Sequence, residues 1–148
     1  KKDKIFLPYE ITRSNIILKS LEKVFKNAET RSLPQFSVQN HPATLRSKKH
    51  LKIIVKIQNL IRKYKQKFNK KSKKFSIFIG STTSIILALE QKKQIIHICE
   101  DPIFDSFNSG IWKDLIVTKI DKFIFKYSLK QNKHILNIHK NNKNKIKN

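Results

Sequence analysis

The stretch F-S-I-F-I-G-S-T-T-S-I-I-L-A-L-E, Phe75 to Glu90, sets the fold of this chain. Phe75–Ile79 reads as a buried β-strand, Gly80 as the turn that ends it, and the residues after it as a helix opening on hydroxyl side chains. Gly80 has no Cβ, so its backbone can turn sharply or let a ligand approach closely. Ser81, Thr82 and Thr83 can each cap the first turn of that helix, whose N–H groups lack internal partners. A helix start of this kind, at the positive end of the dipole, also seats a phosphate. Taken alone the segment is an ordinary capped joint, and a phosphate seat needs a second signal.

Outward from this unit, short apolar runs alternate with helical patterns. That alternation predicts βαβ units and an α/β fold: a Rossmann-like, mostly parallel sheet with helices on both faces. Upstream, Lys4–Pro8 reads as the first strand. A helix follows over Thr12–Ala28, with Ile16, Ile17, Leu21, Val24, Phe25 and Ala28 at helical spacing and Thr12 or Ser14 as its cap. Gln35–Gln39 is a second strand ending at N-H-P. A basic helix covers His50–Phe68, with Leu51, Ile54, Val55, Ile57, Ile61 and Tyr64 as its apolar side. Asn69–Lys74 is a solvated turn.

Downstream come a helix over Thr82–Gln91 and a strand over Gln94–Cys99. Glu100–Trp112 then mixes turn formers with large aromatics. A short helix over Ile111–Leu115 and strand-like runs over Ile116–Lys119 and Lys122–Tyr127 close the pattern. The chain has 148 residues, enough for one domain. Residues 1–128 read as that domain, and 129–148 as a Lys/Asn-rich tail too poor in apolar residues to order itself. The sequence starts at Lys1 and has no Met, which suggests a piece of a longer protein.

The net charge is +23. It favours anionic partners, including phosphorylated substrates and, as a peripheral contact, an anionic membrane surface. It is a weak argument for nucleic acid, because the charge is almost all Lys, spread along the chain, with Arg only at positions 13, 31, 46 and 62. Heavy use of Lys, Ile, Asn and Phe with little Gly is the mark of an AT-rich coding sequence. Nucleic acid is therefore not expected as a partner. The single cysteine, Cys99, excludes an internal disulfide and reads as a buried small hydrophobe. No apolar run reaches the length of a membrane span, no signal peptide is visible, and a cytoplasmic domain, peripheral at most to the inner membrane face, is the expectation.

In open parallel sheets ligands bind beyond the carboxyl ends of the strands. Gln39-Asn40-His41-Pro42, Gly80-Ser81-Thr82-Thr83 and Glu100-Asp101 are predicted at such ends, the first two on neighbouring strands. His41 either donates to a phosphate oxygen or is a surface-loop histidine, and Pro42 stops the strand just after it. Ser81, Thr82 and the turn N–H groups would complete an anion cradle. Glu100 and Asp101 either hold sugar or ribose hydroxyls or initiate a turn before Pro102. Asp105, Ser106 and Asn108 either line this rim or end the strand. Trp112 reads as packing on the sheet and His97 as a core-edge histidine, while His134 and His139 carry no role. The sequence supports no metal site, no Walker-type or G-x-G-x-x-G loop and no nucleophile elbow.

A strand-end H-P followed by a strand and a G-S-T-T helix start resembles the C-terminal, donor-binding half of GT-B glycosyltransferases. The likeness is to bacterial enzymes of capsule and lipooligosaccharide synthesis, of the sialyltransferase and polysialyltransferase type. It rests on His41-Pro42 and on Ser81, Thr82 and Thr83, with D-P-I-F-D-S-F-N-S-G-I-W after the last donor-side strand, and spans Lys4 to Tyr127. The resemblance implies a nucleotide-sugar donor, with CMP-sialic acid the first choice, a glycan acceptor, and inverting transfer without a metal or other cofactor. It gives His41 the catalytic part, stabilising charge on the leaving phosphate, and Pro42, Gly80, Ser81, Thr82 and Thr83 the donor-phosphate contacts. Many relatives place a Lys two residues before the His; this chain has Gln39. The acidic D/E-D/E-G motif that supplies their catalytic base has no counterpart here, so the chain alone is not expected to turn over substrate.

Two other classes compete. A nucleic-acid-binding protein without enzymatic activity would use the charge alone. The other is a different doubly wound module, response-regulator-like or otherwise nucleotide-binding; a receiver domain would need an acidic cluster in the first strand, which K-I-F-L-P-Y lacks.

Overall fold

A computed structural model describes residues 3–26, 35–65, 75–80, 84–91, 94–99 and 115–129. They form a six-stranded sheet with helices on both faces, the α/β, Rossmann-like architecture read from the alternation. The strands are β1 (Asp3–Phe6), β2 (Phe36–Gln39), β3 (Phe75–Ile79), β4 (Gln94–Ile98), β5 (Leu115–Asp121) and β6 (Ile124–Leu129). The helices are α1 (Ser14–Lys26), α2 (Lys48–Lys63) and α3 (Ser84–Glu90). The spatial order is β2-β1-β3-β4-β6-β5. The first four strands in this order are parallel, and the β5–β6 hairpin extends the sheet antiparallel to β4.

Alternation along the strands sorts side chains between two layers. Ile5, Ile77, Ile79, Ile96, Ile98 and Ile124 face α1 and α2. Helix α1 brings Ile17, Leu21 and Phe25, spaced by one turn, and α2 brings Ile53 and Ile57. Phe25 packs its ring against Phe36 and Tyr64 at 6.1 and 5.9 Å. On the opposite face Phe78, Ile95, Phe125 and Tyr127 meet Ile85, Ala88 and Leu89 of α3, and Phe6 stacks on Phe78 at 4.5 Å. The isoleucine-rich runs are thus buried on both sides, as a central parallel sheet requires.

Local chemistry sets the helix starts and a bridge between helices. Ser47 caps α2 by accepting the His50 N–H at 3.4 Å, so the helix begins at Lys48, two residues upstream of the predicted start. Helix α1 begins at Ser14 with the Arg13 carbonyl accepting the first N–H, from Ile17, so neither Thr12 nor Ser14 takes the capping position. Glu22 of α1 accepts from Lys63 Nζ and from the Tyr64 hydroxyl, both at 3.0 Å, and ties α1 to the end of α2. Those two hydrogen bonds hold the Glu22 carboxyl below its ordinary range.

Several boundaries differ from the sequence reading. Strand β1 ends at Phe6 rather than Pro8, because a proline has no N–H to give the ladder; Leu7 still donates to Gln39 O at 3.0 Å. Leu51 and Val55 of α2 are exposed, and His50 and Ile53 take their place inward. The lysines at positions 52 and 56 go outward with them, so the helix is rotated relative to the predicted stripe. Leu115 opens a strand and does not end a helix. The rest of that predicted helix, the loop 100–114 with Asp105, Ser106, Asn108 and Trp112, and the tail from 130 with His134 and His139 lie outside the described residues. Among the described residues no helix is long and apolar enough to cross a membrane.

Candidate functional site

The parallel strands place the residues that follow β1, β2, β3 and β4 on one rim. Helices α1 and α3 leave β1 and β3 on opposite faces of the sheet. The crevice between these two strand ends is therefore the topological switch point, where ligands of open α/β sheets settle. Its floor is a direct contact between Pro8 and Gly80. Gly80 has φ +73°, and a Cβ built on it would lie 3.0 Å from Pro8 Cβ and Cγ. Glycine is needed here twice over, for the left-handed backbone and for the proline ring it admits.

His41 stands at the end of β2, where a short 3-10 turn, Pro42–Thr44, begins. Its Nδ1 accepts the Ala43 N–H at 3.1 Å. That bond fixes the tautomer: Nδ1 is the acceptor, so Nε2 carries the hydrogen. Asn40 Oδ1 accepts the His41 N–H at 2.9 Å and lies 3.0 Å from the Thr44 hydroxyl, while Asn40 Nδ2 donates to Thr44 O at 3.1 Å. Pro42, locked in φ, starts the turn. The N-H-P-A-T loop is thus closed on itself and leaves one imidazole N–H on a half-buried ring without a hydrogen-bond partner among the described residues. The ring meets Tyr9 edge to face, centroids 5.5 Å apart.

Two further histidines hold the crevice floor. His50 Nε2 donates to the Pro8 carbonyl at 3.0 Å, and its Nδ1 lies 3.0 Å from the Ser47 hydroxyl. His97 Nε2 donates to the Gly80 carbonyl, and its Nδ1 accepts from the Tyr127 hydroxyl at 2.8 Å, with Cys99 Sγ 3.5 Å away. A carbonyl oxygen can only accept, so both Nε2 atoms carry hydrogen. Burial pushes the His97 imidazole below the usual histidine range, against the opposing pull of its bond to Gly80 O. His97 is fully buried and belongs to the core, not to its edge. Cys99, read as buried, is half-buried at the end of β4.

The sequence reading placed His41-Pro42 and the Gly80 turn on neighbouring strands. The structure puts both on the same rim, but β1 lies between β2 and β3. Two strand spacings separate them, roughly 10 Å, with Pro8 and Tyr9 in the gap. Ser81, Thr82, Thr83, Glu100 and Asp101 lie outside the described residues, so Gly80 is the part of the hydroxyl motif that is placed. Pro8, Tyr9, His50 and His97 were missed as parts of the rim. His50 carried a local signal, its position three residues after a capping Ser. A histidine in the apolar run I-I-H-I-C signalled a buried polar partnership, since buried polar groups are paired. No protein-family model matches this chain, and no curated protein or solved structure is significantly similar to it.

Proposed function

We propose that this chain is the nucleotide-sugar-binding half of a glycosyltransferase with GT-B architecture. The donor is a nucleotide-activated sugar, CMP-sialic acid the first to test, and the acceptor a cell-surface glycan. The observation that carries the reading is the Nε2–H of His41, fixed by the Ala43 cap and without a hydrogen-bond partner among the described residues, on the rim of the switch point. A preset donor of this kind stabilises negative charge that grows on a departing phosphate without reorganising during the reaction. The Gly80 turn lies on the same rim, where its missing Cβ leaves room for the Pro8 ring. The inverting, metal-independent course follows from the resemblance, as does the need for a catalytic base from a D/E-D/E-G motif, which this sequence lacks.

The test is calorimetric titration of the chain with CMP and CMP-sialic acid, wild type against His41→Ala. A hydrogen bond to a charged group contributes about 1.5–3 kcal/mol, so the substitution should weaken binding by about 10- to 150-fold with the fold intact by circular dichroism. Unchanged affinity removes His41 from the site. Full transferase activity of a longer protein carrying both His41→Ala and Ser81→Ala/Thr82→Ala would remove the whole assignment.

A second reading rests on α2, which exposes Lys48, Lys49, Lys52, Lys56, Arg62 and Lys63 and contains no acidic residue. Such a face suits a nucleic-acid backbone. Tight binding of DNA or RNA with a steep salt dependence would support it, and binding lost at physiological salt would not.

A further inference from the structure

We propose that Tyr9 is the platform on which the base of the bound nucleotide stacks. This inference rests on the nucleotide-binding reading above and names the group that would select the nucleotide part of the donor. Position is the first argument. Tyr9 follows Pro8 at the end of β1, the strand that separates the His41 loop from the Gly80 turn. Strand β1 separates β2 from β3, so two strand spacings, roughly 10 Å, lie between the two sides of the rim. A ligand that engages both must run across the β1 loop, over Tyr9.

Exposure is the second argument. Leu7 and Ile11 on either side are 5% and 3% exposed, while Tyr9 between them is 58% exposed. The loop thus buries its aliphatic residues and holds its one aromatic ring out. The ring meets the His41 imidazole at an interplanar angle of 75°. The side chain adjoining Tyr9 is the one that offers an N–H to a phosphate. Phosphate donor and aromatic surface, side by side, fit the two ends of one small molecule, a 5′-nucleotide. Every base has a π-face, and base–aromatic stacking contributes about 1–3 kcal/mol by alanine substitution.

The experiment compares a base-bearing ligand with a baseless one. Wild type, Tyr9→Ala, Tyr9→Phe and His41→Ala chains are titrated with the 5′-monophosphates of cytidine, uridine, adenosine and guanosine and with ribose 5-phosphate. Tyr9→Ala should weaken the best nucleotide by about tenfold, within the 5- to 150-fold range of lost stacking, and leave ribose 5-phosphate unchanged. Tyr9→Phe, which keeps the ring, should bind the nucleotide as wild type does. The proposal is overturned if Tyr9→Ala binds the nucleotide normally, if it loses ribose 5-phosphate to the same extent, or if Tyr9→Phe is as weak as Tyr9→Ala. Nucleotide binding that His41→Ala weakens and Tyr9→Ala does not would leave the functional reading standing and remove the stacking. A wild type that binds none of the four nucleotides overturns both.

Discussion

His50 and His97 make the same bond on opposite faces of one sheet, and their settings differ. Each donates from Nε2 to a carbonyl at a strand end, Pro8 for His50 and Gly80 for His97, and those two residues touch across the crevice floor. The second nitrogen of His50 is met by Ser47, three residues away, in the capped first turn of α2. That of His97 is met by Tyr127, thirty positions along the chain on an antiparallel strand. In one brace the second nitrogen finds a local partner at a helix start; in the other it finds one across the sheet, between the fully buried His97 and Tyr127. The same hydrogen bond should therefore be worth more where the groups it satisfies have no alternative partner.

Four measurements break or sharpen that comparison. The largest effect is expected for His97→Ala, which strips a partner from both Gly80 O and the fully buried Tyr127 and leaves a cavity. It should cost about 3 kcal/mol in urea unfolding, against about 1–2 kcal/mol for His50→Ala, whose second partner, Ser47, is half-buried at a helix start. Equal costs would mean that burial does not distinguish the braces.

Next is Gly80→Ala, which strains the φ of +73° and drives a Cβ against the Pro8 ring. A loss of about 2 kcal/mol is expected. If the floor contact matters, Pro8→Ala in the same chain should recover part of that loss, a coupling visible in the double-mutant cycle.

The third is pH. The folded His97 imidazole titrates below its ordinary value of 6.5, so below about pH 6.5 the unfolded chain takes up a proton that the folded chain does not. Stability contributed by this group is complete above pH 6.5 and falls as pH drops toward the depressed folded value, with a slope of at most about 1.4 kcal/mol per pH unit. Denaturation across pH 5–7 should show a decline in the wild type that is shallower in His97→Gln. Parallel curves would exclude His97 as its source.

The smallest effect, of opposite sign, is expected at Ser76. Its hydroxyl is buried in β3 without a hydrogen-bond partner among the described residues. Ser76→Ala removes an unsatisfied group and should leave stability unchanged or raise it by up to about 1 kcal/mol. A clear loss would reveal a partner and make Ser76 resemble the histidines.

Much of the architecture was legible because period-two and helical spacing are local. Phe75–Ile79, Gln94–Ile98 and the α1 stripe of Ile17, Leu21 and Phe25 each carry their own pattern. The α2 stripe was misread because His50 replaces a hydrophobe at an inward position, and only its bonds to Pro8 and Ser47 explain a polar residue there. Pro8 was drawn into β1 by the apolar run before it, although its missing N–H argued for the strand to stop.

By itself the sequence determined the element types, the α/β class, the strand-end position of His41 and the need for glycine at position 80, since each depends on residues within a few positions of one another. Strand order, the interposition of β1 between His41 and Gly80, and the two histidine braces were decided by the tertiary structure alone. Those features pair residues from 30 to 72 positions apart, which no local pattern encodes.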